Sequence, residues 1–272
     1  MIKIVSAGLL AALMIVGNAT AQTYVRYEQN GMASWGELKG DTIEQLSGAP
    51  YLEGKSTGKS VKRADVKLLA PVEPKLVFMT ALNFKSHIGD REPAKYPGLF
   101  TVPAHSIIGP EDNIVRPAES KNLHYEAEMV VVVGKHAKNV PLEKAGDYIF
   151  GVTAGNDVSE RDWQRNDIQW LRAKGTDGFN AVGPVLVKGL DYTNLEIEGR
   201  LNGERVQGQN SSDMLFDMNY MVYYISKYFT LEPGDLIWSG TMGSTKKMEP
   251  GDVYEVDVEG VGVLRNKVEQ GK

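Results

Sequence analysis

Apolar residues in this chain fall mostly into short runs, and one uninterrupted β-branched run is the most informative. Met129-Val130-Val131-Val132-Val133 is continuous and β-branched, the pattern of a strand buried on both faces. Less continuous apolar stretches at residues 76–80, 148–153, 181–187, 236–239 and 253–258, most of them flanked by glycine, proline or acidic turn residues, predict further strands. Met218, Met221, Val222, Ile225 and Phe229 recur at helical spacing, so residues 216–228 read as a helix with one face in the core. A second helix is predicted over residues 159–171, opened by Ser159 and Asp162 as a weaker relative of the capping box. Strands outnumber helices, and the class expected is α+β, mostly β.

The pattern also divides the chain. Residues 22–73 hold short β-like pieces broken by Gly31, Gly36, Gly40, Gly48, Gly54 and Gly58, with few groups suited to chemistry. They read as a small N-terminal β-rich domain. Ala70-Pro71-Val72-Glu73-Pro74 follows as an extended linker, leaving residues 74–272 as the catalytic unit. Residues 1–21 differ from both. Lys3 precedes an apolar run at residues 4–16, and Ala19-Thr20-Ala21 supplies small residues for cleavage, the three parts of a secretory signal. The run is short of the roughly 20 residues a membrane span needs. The expectation is an exported protein, periplasmic or secreted, with no membrane attachment once the signal is removed.

Composition narrows the function classes. A chain of 272 residues can bury a sizeable core. Its formal charge of -5 offers no polycation for nucleic acid or anionic lipid, so small-molecule chemistry is expected. There is no cysteine, which rules out disulfides and thiolate metal sites and leaves oxygen and nitrogen as the only metal donors.

Three constellations carry candidate chemistry. Glu126 and Glu128 sit two apart where Tyr125-Glu126-Ala127-Glu128 runs into the apolar strand, so they share one face. Carboxylates placed this way repel unless a cation joins them, and carboxylate oxygens suit Mg²⁺, Mn²⁺ or Ca²⁺. Taken alone, the pair is equally a solvated strand end. Asp157, at the turn between a predicted strand and the 159–171 helix, tips the balance toward a metal, with Arg161 and Gln164 three apart on one helix face beyond it. The third is Asn83-Phe84-Lys85-Ser86-His87-Ile88-Gly89-Asp90, in which His87 and Asp90 would meet on one helical turn as a base and its orienting acid. Arg91, Glu92, Pro93, Lys95 and Pro97 then look like a mobile loop, a candidate lid.

These pieces occur in one order with others: Ala173-Lys174-Gly175, Val182-Gly183-Pro184, Asn202-Gly203-Glu204, Gln209, Pro233-Gly234-Asp235 and Gly240-Thr241. The ordered set resembles the fumarylacetoacetate hydrolase family over about residues 74–268, and residues 22–73 resemble the small domain some bacterial members carry. The resemblance implies a mixed β-sandwich or partly open β-roll with flanking helices, assembled as a homodimer. It implies Glu126, Glu128 and Asp157 as ligands of one Mg²⁺ or Mn²⁺, with no organic cofactor. His87 and Asp90 match the water-activating dyad, Lys174 and Gln164 the groups that steady an oxyanion, and Arg161, Gly240 and Thr241 positions near the substrate. Asp90 stands where many members have glutamate. Val102 replaces a lysine, and Met242 a proline, of many relatives.

The activity expected from the resemblance is metal-dependent hydrolysis of a C–C bond in an acylpyruvate-like 2-oxo acid, through a stabilised enolate. A decarboxylase or isomerase of 2-oxo or 2-hydroxydienoic diacids is the alternative. An exported binding protein that keeps metal without turnover is a third reading, against which His87, Asp90 and Lys174 argue.

Overall fold

The structure is a computed structural model that describes residues 21–272; the signal assigned to residues 1–21 lies, apart from Ala21, outside the described residues. Five strands come first: β1 (Gln22–Gln29), β2 (Met32–Lys39), β3 (Thr42–Leu46), β4 (Ser56–Lys62) and β5 (Lys67–Leu69). They are followed by β6 (Val77–Ala81), the short helix α1 (Lys85–Ile88), β7 (Gly98–Thr101), β8 (Ile107–Ile108), β9 (Ile114–Arg116) and β10 (Leu123–His124). The centre of the chain gives β11 (Ala127–Val133), β12 (Ile149–Asp157), β13 (Ser159–Glu160), α2 (Arg161–Asn166), α3 (Leu171–Gly175) and β14 (Asn180–Lys188). Last come β15 (Glu196–Leu201), β16 (Glu204–Asn210), α4 (Met218–Tyr228), β17 (Leu236–Trp238), β18 (Val253–Val258) and β19 (Gly262–Gln270).

Twelve strands make one mixed sheet whose main order is β4-β3-β2-β1-β14-β12-β11-β17-β6-β7, with β5 beside β1 and β8 beside β14. A second sheet has the order β16-β15-β18-β19-β9. Both are open, and the molecule is mostly β with a few helices, as its sequence pattern predicts. All seven residues of β11 are buried. Its odd positions, Met129, Val131 and Val133, pack into one core with α4 and the second sheet, while Val130 and Val132 meet Leu186, Leu236 and Trp238 on the opposite face. A strand apolar on both faces is therefore sandwiched between two cores. Its even face is also the one that Glu126 and Glu128 share.

Close packing behind the site depends on a missing side chain. A Cβ on Gly155, opposite Glu128 in the β11–β12 pair, would come within 2.4 Å of the Trp238 ring. Helix α4 is capped by Asp217, whose carboxylate accepts from Tyr220 N at 2.7 Å, and it buries Met218, Met221, Val222 and Ile225.

One expectation changes. The 159–171 helix is instead two short helices, and its cap is Glu160 rather than Ser159. The buried Glu160 carboxylate accepts from Trp163 N at 2.8 Å and from Asn122 N at 2.7 Å, while Ser159 pairs with His124 in a strand. The chain leaves the helix at Asp167 and re-enters it at Leu171, which frees α3 to approach the sheet. The N-terminal strands join the central sheet. β1 runs antiparallel to β14, so residues 22–73 extend the central sheet, and the 70–74 connection is pinned by Glu73 N donating to the Tyr51 hydroxyl at 3.1 Å.

Because α4 is held by packing, Ile225→Ala should cost about 2–5 kcal/mol of unfolding free energy. Urea unfolding at 25 °C measures it; a loss below about 0.5 kcal/mol would contradict the packing described.

Candidate active site and metal centre

The ends of β11 and β12 build the acidic centre. Asp157 N donates to Glu126 O at 3.0 Å, which sets these two residues opposite each other on the face that also carries Glu128. All three side chains are buried, and one carboxylate oxygen from each lies within 4.8 Å of the others. Lys174 reaches in from α3: its Nζ is 2.6 Å from Glu126 Oε2 and 2.6 Å from Asp157 Oδ2. Arg161, first residue of α2, places one nitrogen 2.5 Å from Glu126 Oε1 and the other 2.9 Å from Gln164 Oε1. Glu128 accepts from Gly240 N at 2.8 Å, and Asp157 from Asn180 Nδ2 at 3.2 Å.

Three carboxylates thus face two cations in a desolvated place. Burial alone would raise the Glu126 pKa, but Lys174 and Arg161 reverse that and hold it well below the usual carboxylate range. Burial, joined by the neighbouring Asp157 and Glu126 charges, lifts Glu128 far above it. Asp157 is pushed up to about 7 by burial, against the opposing pull of Lys174. The cluster holds more acid than its bases neutralise, and its donors are all hard oxygens. It fits a divalent cation bound through Glu126, Glu128 and Asp157.

A cavity of about 380 Å³ opens in front of the acids. His87, Arg91, Arg161, Arg165, Gln164, Lys174 and Thr241 line its polar side, and Leu82, Phe100 and Trp170 its apolar side. The arginines and the lysine favour an anionic ligand. Leu82 takes a left-handed conformation (φ 59°) directly before Asn83, which turns the chain out of β6. Asn83 then bonds both backbone groups of Phe216 and accepts no slack, its Nδ2 also donating to Ser239 O at 2.7 Å. His87 follows on α1 with its Nδ1 2.6 Å from the carbonyl of Gly243. A carbonyl only accepts, so Nδ1 carries the proton and Nε2 is left to accept one.

The chain matches two family descriptions. The fumarylacetoacetate (FAA) hydrolase C-terminal model covers residues 76–269, and the Rv2993c-like, N-terminal model covers residues 23–71. The chain belongs to the fumarylacetoacetate hydrolase family. It is 41% identical over 239 residues to protein Rv2993c of Mycobacterium tuberculosis, covering 86% of this chain and 90% of that protein. It is 38% identical over 222 residues to the mitochondrial oxaloacetate tautomerase Fahd2a of Rattus norvegicus, covering 76% of this chain and 71% of that one. The solved structure of 5-carboxymethyl-2-hydroxymuconate delta-isomerase from Mycobacterium smegmatis superposes with a TM-score of 0.86 at 35% identity, over 92% of this chain and all of that one.

Within this family member most of the sequence-derived site residues converge, and one does not. Glu126, Glu128, Asp157, Arg161, Gln164, Lys174, His87 and Thr241 surround the cavity or its floor, and Gly240 joins them through the N–H it donates to Glu128. Asp90 is exposed, outside the cavity lining, because α1 ends at Ile88 and Gly89 turns the chain away with φ 62°. The partner expected on the same helical turn as His87 is therefore replaced by the Gly243 carbonyl. Val102 is buried beside Gly175 rather than in the cavity, and Met242 is buried with its carbonyl turned to Gln207. Several supporting residues gave no sequence signal. Thr245 accepts from Arg161 at 2.8 Å and meets His124 Nδ1 at 2.8 Å; burial and the Arg161 charge lower the His124 pKa to about 4, keeping that ring neutral. Nothing in local spacing links Thr245 to Arg161, 84 residues away in the chain.

The raised Asp157 and Glu128 pKa values mean that protons occupy sites a cation must take. Deprotonation favours the cation, so Mn²⁺ affinity should rise as pH climbs toward and past about 7, with proton release on binding at lower pH. Calorimetry in buffers of different ionisation enthalpy measures both; an affinity constant from about pH 5 to pH 8 would contradict this electrostatic picture.

Proposed function

We propose that this protein is a Mg²⁺- or Mn²⁺-dependent tautomerase or isomerase of short 2-oxo dicarboxylic acids. The observation that carries the reading is the cavity histidine, which among the described residues has no carboxylate bonded to its ring. His87 is oriented by a backbone carbonyl, and Asp90, the acid that would complete a water-activating dyad, lies outside. Moving a proton between carbon and oxygen of a keto–enol pair needs one base and a stabilised oxygen, but no activated water. Hydrolysis needs the dyad as well. The tautomerase and isomerase named among the relatives fit the same chemistry.

Bound by Glu126, Glu128 and Asp157, the metal would act as a Lewis acid toward the 2-oxo oxygen. The chain's own residues do the rest. Arg161 and Arg165 attract and orient carboxylate groups of the substrate, and the Phe100–Trp170 wall excludes water from one side. His87 Nε2 takes the proton from the carbon next to the oxo group and returns it to the oxygen, or the reverse. No bond between carbon atoms breaks. C–C hydrolysis is the second reading, supported by the family's name and by Lys174 and Gln164 on the cavity wall. It requires residues 89–97 to carry Asp90 inward.

Enol and keto forms of oxaloacetate differ in ultraviolet absorbance, so the rate of approach to equilibrium tests the first reading directly. Mass spectrometry separates the others: water gained marks hydrolysis, and CO₂ lost marks decarboxylation. His87→Asn should lower kcat by about 10²–10⁴-fold, and Asp157→Ala should remove the metal-dependent rate. Full activity in Asp157→Ala at limiting metal would sink the proposal.

We further propose export with cleavage after Ala21. β1 begins at Gln22, so the cut leaves the first strand whole. N-terminal sequencing of the protein from a secreting host should then read Gln22-Thr23-Tyr24-Val25; a mature chain that retains Met1 would exclude it.

A further inference from the structure

The acidic end of β11 is held unevenly. On one side β12 pairs with it along its whole length, but on the other β17 pairs only with Val130, Val131 and Val132. Ala127, between the two glutamates, therefore has a strand neighbour on one side only. Both its backbone groups go to side chains: Ala127 N donates to Gln207 Oε1 at 3.0 Å, and Ala127 O accepts from the Thr241 hydroxyl at 2.9 Å.

Gln207 closes this arrangement. It lies on β16, the edge strand of the second sheet, and is 5% exposed. Its Nε2 donates to Thr241 Oγ1 at 3.0 Å and to Met242 O at 2.6 Å, and its Oε1 accepts a second bond from the Tyr254 hydroxyl at 2.7 Å. Both amide donors and both acceptor positions are used, and the orientation is fixed because Ala127 N–H can only donate and Met242 O can only accept. Room for this is built in. A Cβ on Gly199, opposite Gln207, would lie 2.1 Å from the Tyr254 hydroxyl oxygen. Tyr254 is itself stacked on Tyr125 at 4.4 Å, next to Glu126.

The loop that Gln207 grips reaches the rest of the site. Gly240 N bonds Glu128, Gly243 O holds His87, and Thr245 holds Arg161. We infer that Gln207 is a positioning residue, setting the Glu126–Glu128 separation and tying it through the 240–245 loop to His87 and Arg161. The inference rests on the metal-dependent reading proposed above. No other common side chain supplies two donors and two acceptors with this reach, so the second sheet contributes to the site through this one amide.

The test measures Mn²⁺ affinity by calorimetry on the full chain without substrate, alongside kcat and KM for enol–keto conversion. Gln207→Met, similar in length but without hydrogen bonds, should weaken Mn²⁺ binding about tenfold and lower kcat about tenfold or more, as loss of residues that orient ligands does elsewhere. Tyr254→Phe keeps the ring stack and removes one bond to Oε1; it should weaken Mn²⁺ binding severalfold, and it decides the matter if Gln207→Met does not fold. Val256→Ala, buried in the same sheet, is the control for general loss of stability and should leave Mn²⁺ affinity unchanged. Wild-type affinity and kcat in a folded Gln207→Met, unchanged affinity in Tyr254→Phe, or an equal loss in Val256→Ala would each overturn the inference. A wild-type chain that binds no Mn²⁺ would remove the metal reading and this inference with it.

Discussion

Like-charge repulsion among three buried carboxylates is the constraint around which this molecule is arranged. Glu126, Glu128 and Asp157 are brought together by the pairing of β11 with β12, and that pairing is itself dictated by the apolar run that follows Glu128. Desolvation makes the repulsion costly, since charges in a low-dielectric interior are neither screened nor hydrated. Lys174 and Arg161 reduce the cost around Glu126 and leave the remainder at Glu128 and Asp157, where protons or a cation must take it up. Stability and ligand binding are thereby linked in the same few atoms.

This arrangement also explains the division of labour across the fold. The central sheet supplies the acids, the short helices α2 and α3 supply the cations, and the loop after β17 supplies backbone groups. None of these could be placed by an isolated element. The break between α2 and α3 lets Lys174 approach from a direction that a continuous helix would have denied it, and the missing side chain at Gly155 lets Trp238 pack directly behind the acids. Strands and amides interlock at the floor of the site, and Arg91 lines the cavity in front of it.

Family membership and geometry speak to different levels of the function. The named relatives include an oxaloacetate tautomerase and a 5-carboxymethyl-2-hydroxymuconate delta-isomerase, so membership speaks to the kind of enzyme. The choice proposed between them rests on acid–base equipment, which differs between proton transfer and hydrolysis. A lone imidazole held by a carbonyl suits the first. Its Nδ1–H is committed to Gly243, so its basic nitrogen is defined without help from a carboxylate.

Much of this was legible in the chain alone. The continuous apolar run predicted β11, the alternation beyond it put Glu126 and Glu128 on one face, and the 3.6-residue spacing of Met218, Met221, Val222 and Ile225 predicted α4. These are local periodicities, and backbone geometry converts them directly into faces. The ordered motifs singled out Asp157, Arg161, Gln164, Lys174 and His87 as well. Local spacing misled where a short element ended early: His87 and Asp90 are right for one helical turn, but Gly89 terminates α1 between them. Glu160, not Ser159, became the cap because only the tertiary fold offered it Asn122 as a second partner. What tertiary structure alone decided were the contacts between residues far apart in sequence: Gly243 with His87, Thr245 with Arg161, and Gln207 with Ala127 and Thr241. Sequence determines which face a side chain occupies through the period of its own element. Which distant group meets it depends on how two sheets pack, and no local period encodes that.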